Sequence, residues 1–257
     1  GMASVGRMVR NYRARPKPAT VKTIETTLDE MEVLAEQLAS VEEMPHHRRL
    51  ADELTPLLKD YRDHLRALVL LLEKREAMTD RTLTTLGDTI MDRIAPMVSG
   101  ASPAAPKAEL MQAGYAGKVQ QHFLRARLRV RQYLLSEQNA HLAAARKNID
   151  ASMRALWILL ALVENPEQHA FQLETLEALS RYEQTVDRLA KNVADAQRMV
   201  TQELNAVGAH VLARAEQLSD SAITQARTRS DSADFAIRQA LWLAMLAGAL
   251  TLFAGLT

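Results

Sequence analysis

The residues best suited to chemistry in this chain are its arginines. Basic side chains gather at Arg7, Arg10, Arg13, Arg15 and Lys17, and again at Arg125, Arg127, Arg129 and Arg131. A guanidinium offers a planar fork of donors that matches a carboxylate, so such clusters are either solvated helix faces or sites for a small anion. The whole chain carries 32 basic and 31 acidic residues, a balance that calls for no nucleic-acid partner. His46, His47, His64, His122, His141, His169 and His210 include no pair at a spacing of four with a nearby carboxylate, so they read as surface residues rather than a metal site. No glycine-rich phosphate loop, nucleophile elbow or paired-cysteine motif occurs, and Glu42-Glu43 reads as loop charge. With no cysteine, neither a disulfide nor a thiolate centre can form. The expectation is a protein that is not an enzyme, with no catalytic residue, metal or cofactor.

The elements that must carry these arginines are helices. Glycine and proline number only 9 and 8, and aromatics make up 4%. The dominant residues, Ala, Leu, Arg, Glu and Gln, lose little side-chain freedom in a helix, so the fold class is all-α. Displacing the sequence by 121 positions lays Val9-Arg10-x-Tyr12 on Val130-Arg131-x-Tyr133. The same displacement pairs Asp29 with Asp150, Pro45 with Pro166, Tyr61 with Tyr182, Leu68 with Leu189, Met78 with Met199, Leu83 with Leu204, Gly87 with Gly208 and Arg93 with Arg214. The chain is therefore a tandem repeat, with units 1–120 and 121–238.

Each copy reads as a short helix, a break, a second short helix, a tight turn and one long helix. The break in the first copy is Arg15-Pro-Lys-Pro18, where proline lacks the donor a helix interior needs. Pro45 falls at a first helical position, and Asn165 caps the helix that Pro166 begins. Tyr61, Leu65, Leu68, Leu72, Thr79, Leu83, Leu86, Ile90 and Met97 recur at three, four or seven residues, one narrow seam along the first long helix. Tyr182, Val186, Leu189, Val193, Val200, Leu204, Val207 and Val211 repeat it. Gly87 and Gly208 on these seams read as points of close helix approach rather than ligand contacts, and Trp157 reads as a core residue rather than the wall of a cavity.

Ser99 to Pro106 is the one long loop-like stretch and joins the copies. Six helices result, two long and four short. The lower halves of the long helices are expected to pack with the first short helix of each copy and the upper halves with the second, forming two stacked four-helix bundles.

Ala240 to Thr257 is an uncharged, mostly apolar run of membrane-spanning length, with Arg238 before it and Trp242 near its start. Residues 1–238 are then one domain, and 239–257 begin a transmembrane helix. Gly1-Met2 reads as what tag removal leaves ahead of a chosen start. The chain is expected to be a piece of a longer membrane protein, trimmed after a first span and inside a second.

This pattern resembles the helical bimodular sensor domains of bacterial chemoreceptors and sensor histidine kinases, in architecture over nearly the whole chain. Leu83-Thr-Thr-Leu-Gly87-Asp-Thr-Ile90 and Tyr182-Glu-Gln-Thr-Val186 look like the family's long helices. The resemblance implies two four-helix modules between two spans, with a dicarboxylate bound in the membrane-proximal module and an acetate-like acid in the distal one. Arg7 and Arg10 look like the family's first-helix arginine pair, and Arg198 with Thr201 or Gln202 is the nearest match on the last helix. If the inter-copy turn centres near residue 102, the repeat sets Arg7 level with about Gln197, so Arg198 reaches the layer of Arg7 and Arg10. Residues three apart share a helix face, and three converging cations would repel unless an anion sat between them. For the distal module no residues are assigned.

The resemblance implies the ligand-binding domain of a methyl-accepting chemotaxis protein. It would lie in the periplasm, anchored in the inner membrane by flanking spans, and sense a small carboxylate by helix displacement. A homodimer is expected in the full receptor. The alternatives are a histidine-kinase sensor that reads a periplasmic binding protein and a membrane-anchored structural coiled coil.

Overall fold

A computed structural model describes residues 5–9, 18–39, 45–99 and 106–228. Six helices occur among them. Helix α1 covers residues 5–9 and α2 covers Pro18–Ala39. Helix α3 is long: Pro45–Glu76, a π-helical stretch Ala77–Leu83, then Thr84–Ser99. Helices α4 (Lys107–Ser136) and α5 (Asn139–Ala161) are shorter, and α6 is again long, with Pro166–Arg198, π-helical Met199–Leu204 and Asn205–Thr228. The break at Arg15 to Lys17, the turn at Glu42 to Met44 and most of the inter-copy loop lie outside the described residues, as does the apolar tail. Among the described residues no helix is long and apolar enough to cross a membrane.

Local signals behave as their chemistry dictates. Pro45 and Pro166 start the long helices, and Asn165 Oδ1 accepts from the backbone N–H groups of Glu167 at 2.8 Å and Gln168 at 3.3 Å. The α4–α5 turn is closed by Glu137 in the left-handed region, φ 54°, its N–H donating to the Tyr133 carbonyl.

The repeat persists in three dimensions. The starts of α2 and α5, Pro18 and Asn139, are 121 residues apart, and so are those of α3 and α6. Both long helices widen into a π-helical stretch at the same repeat position. Thr84, at the end of the first, donates its hydroxyl to the Thr79 carbonyl at 3.2 Å; its counterpart Asn205 donates to the Thr201 carbonyl at 3.4 Å. Polar side chains at one repeat position thus serve carbonyls near both bulges.

The chain divides into two compact units, residues 1–72 with 195–257 and residues 73–194. In unit 1, α1, α2, α3 up to Leu72 and α6 from Asp195 share one apolar core. Val5 and Val9 join Ile24, Leu28, Leu58, Leu65, Leu68, Val200 and Val211 there. Arg62 of α3 grips Asp29 and Glu32 of α2 at 2.7 and 3.0 Å, and His64 lies 3.3 Å from Glu203 of α6. In unit 2, α3 from Glu73, α4, α5 and α6 up to Ala194 share a second core. Phe123 meets Tyr182 edge-on at 5.0 Å, and burial pushes the pKa of the Tyr182 hydroxyl up to about 12.

This corrects the expected pairing of helix halves. Each unit keeps both short helices of one copy with the first part of that copy's long helix, and completes its core from the last part of the other long helix. Hydrophobic periodicity says which face of a helix is covered, but it does not say by which neighbour. Trp157 is a second correction, because the residue is more than half exposed.

Candidate functional site

Of the expected acid-binding residues, Arg10 lies outside the described residues. Arg7, Arg198, Thr201 and Gln202 all belong to unit 1, and all four are exposed. Arg198 pairs with Asp195 at 2.8 Å, and the Thr201 hydroxyl donates to the Gln197 carbonyl at 2.9 Å. The buried neighbours of Arg198 are Ala196 and Val200. At about 100° per residue they turn position 198 to the far side of the helix.

The structure builds a different site from the repeat. Arg93 and Arg214 are counterparts, and each reaches a glutamate near the start of the opposite long helix: Arg93 to Glu174 at 2.9 Å and Arg214 to Glu53 at 3.1 Å. Those glutamates are themselves 121 residues apart. The second pair is at ion-pair distance without hydrogen-bond alignment. Arg93 edges a cavity of about 500 Å³ in unit 2, and Arg214 and Glu53 both edge one of about 750 Å³ in unit 1.

The unit 2 cavity has the richer wall. Arg93, Pro96 and Met97 come from α3, Glu109 and Gln112 from α4, Leu159 from α5, and Glu167, Gln168, Phe171 and Gln172 from α6. The guanidinium of Arg93 lies over the Phe171 ring, 5.4 Å from its centroid, so ring and Glu174 together fix its orientation. Gln112 Nε2 donates to the Leu162 carbonyl at 2.7 Å and ties α4 to the end of α5. Gln172 is 1% exposed, and its Oε1 is buried without a hydrogen-bond partner. A buried unpaired amide oxygen costs on the order of 1–3 kcal/mol, so a side-chain rotation that brought this one to a donor in the cavity would be favoured.

The unit 1 cavity is walled by Arg49, Leu50, Glu53, Arg214, Gln217 and neighbouring polar residues of α6. Leu50 stands where Phe171 stands in the other copy, and Ala51, also buried, stands in place of Gln172. The Arg–Glu pair is common to both units and therefore belongs to the scaffold. Gln172 and the carboxylates Glu109 and Glu167 are what unit 2 adds. In the sequence, Arg93 stands out only as one repeat match among many. Comparing the copies for polar residues at seam positions is the signal that finds Gln172.

Gly87 is buried, and a Cβ there would meet the Arg127 guanidinium at 3.1 Å. Close approach is therefore by a side chain, which reaches Asp88 at 3.1 Å across α3 and α4.

No curated protein matches the chain. The model of the helical bimodular sensor domain, a sensor module of chemoreceptors and histidine kinases, matches residues 10–234. With two long helices and a four-helix core in each unit as well, the chain belongs to the helical bimodular sensor domain family.

Proposed function

We propose that the chain is the extracytoplasmic ligand-binding domain of a transmembrane receptor of the methyl-accepting chemotaxis type, sensing small organic acids in the periplasm. The observation that carries this reading is the unit 2 cavity, whose Arg93 is held in place by Glu174 and Phe171 with further donors to offer a carboxylate. Ligand contacts with α6 would favour one packing of that helix over another, and the apolar run from Ala240 follows α6 in sequence. The π-helical stretch Met199–Leu204 supplies a place where α6 can slip by a residue at small cost.

A thermal-shift screen of the chain against small organic acids tests the reading. An acid at about one hundred times its Kd adds about 2.7 kcal/mol to apparent stability, a shift of several degrees. No shift with any acid at millimolar concentration sinks it. A further acid site in unit 1, built on Arg7, Arg10 and Arg198, is supported by α1 and α6 sharing the unit 1 core. Arg10→Ala then abolishes binding of that acid without unfolding the chain, and unchanged calorimetric affinity removes the site.

One observation favours the histidine-kinase alternative with a binding protein as partner. Leu124, Leu128 and Leu135 are exposed along one face of α4, near Gly114 and Gly117, where an added Cβ meets nothing within 4 Å. Surface substitution of Leu128 by Glu separates the two readings, because it disturbs a docked protein and leaves acid binding untouched.

A further inference from the structure

If the chain senses a small acid, the walls of the unit 2 cavity restrict which kind. Arg93 already faces Glu174 at 2.9 Å. The cavity wall itself adds two carboxylates, Glu109 and Glu167, and Gln172, whose Oε1 is buried and unpaired. A bare carboxylate entering this space meets one shared cation and several negative groups. A ligand that also carries a protonated amine meets the complement: ammonium hydrogens for Glu109, Glu167 and the unpaired amide oxygen, and a carboxylate for the remaining donors of Arg93. Pro96, Met97, Leu159 and Phe171 line the same cavity and offer apolar surface to a side chain. The volume, about 500 Å³, is ample for a small metabolite.

Resting on the proposed ligand-sensing role, we infer that the unit 2 cavity is a binding site for a zwitterionic amino acid, with the amine read by Gln172, Glu109 and Glu167 and the acid end by Arg93. The unit 1 cavity has Ala51 in place of Gln172, and its own buried acceptor, Glu53 Oε2, is held by Arg214, so it lacks the neutral amide on which this specificity rests.

The test is calorimetry of the full chain with matched triplets: an amino acid, the same acid without its amine, and the same amine without its carboxylate, for example leucine, 4-methylpentanoate and 3-methylbutylamine, repeated across side-chain classes. At least one amino acid is expected to bind about ten times or more tightly than either half, the usual size of losing a charge-assisted hydrogen bond. Glu167→Gln and Gln172→Met should each weaken that amino acid about tenfold and leave binding of the deaminated acid unchanged or improved, while thermal unfolding confirms that both variants are folded. If a deaminated acid binds as tightly as its amino acid and both variants are silent, the zwitterion inference is overturned and the acid-sensing reading stands. If a lone amine binds as tightly, the acid end is wrongly assigned. If no member of any triplet binds, inference and reading fall together.

Discussion

The two units, each assembled from parts of both copies of the repeat, are unlike bodies. In unit 1 the buried residues are almost all apolar, with Ser219 the one buried polar side chain among the described residues. Unit 2 buries Ser152, Gln172, Thr175, Thr185 and Asn192. Among the described residues unit 2 also leaves more large apolar side chains uncovered, including Leu124, Leu128, Leu135, Trp157 and Phe171, against Val33 and Leu70 in unit 1. Buried polar groups and bare apolar patches both lower stability or solubility, so unit 2 departs further than unit 1 from a plainly packed bundle among the described residues. What the copies share, the seam and the Arg–Glu pairs, is what holds each unit together.

The strongest perturbation tests the shared part. Leu68 and Leu189 are repeat counterparts and both fully buried. Leu68→Ala and Leu189→Ala should each cost about 3 kcal/mol in denaturant unfolding, from lost transfer energy and the cavity left behind. A cost that differs more than about twofold between them, beyond the spread that local relaxation allows, would show that the two seams are not energetically equivalent.

A smaller change tests the divergent part. Ala51→Gln would place in unit 1 the amide that unit 2 carries at Gln172, and it should cost about 2 kcal/mol because the amide has no partner in that core. Gln172→Met removes the orphaned oxygen and should gain about 1 kcal/mol, opposite in sign. A stability gain paired with loss of ligand is the trade expected of a binding residue. If Ala51→Gln is silent, the deep amide is not special to unit 2.

Most of the architecture is legible in the sequence. Tyr61, Leu68 and Leu83 and their counterparts Tyr182, Leu189 and Leu204 are all buried, because a seam at three and four residues has only one way to face inward. Asn165 and Pro166 are legible because capping is local chemistry. The pairing of helix halves is not, since the same seam fits either neighbour. Trp157 misleads because apolar type does not guarantee burial. Gln172 stays hidden because a glutamine among helix formers carries no signal until its counterpart Ala51 is seen beside it.

The weakest effect concerns charge on the outside of the seam. Arg62 in unit 1 joins Asp29 and Glu32, but the counterpart of Arg62 in unit 2 is Glu183, facing Asp150 and Asp187. Burial first, then those two carboxylates, raises the Glu183 pKa above its ordinary 4.5, while Arg146 opposes the shift. A carboxyl whose folded pKa is raised favours the folded state when protonated. That contribution is complete below the ordinary carboxylate range and is lost as pH rises through the folded value. At neutral pH an ionised Glu183 therefore weakens unit 2 slightly, whereas Arg62 strengthens unit 1. Glu183→Gln should raise stability by roughly 0.5 kcal/mol at about pH 7, the scale of an exposed charge interaction, and by nothing measurable at about pH 4. Thermal unfolding at the two pH values reads the difference. An equal gain at both would mean that the amide acts through packing and that charge does not distinguish the two copies at this position.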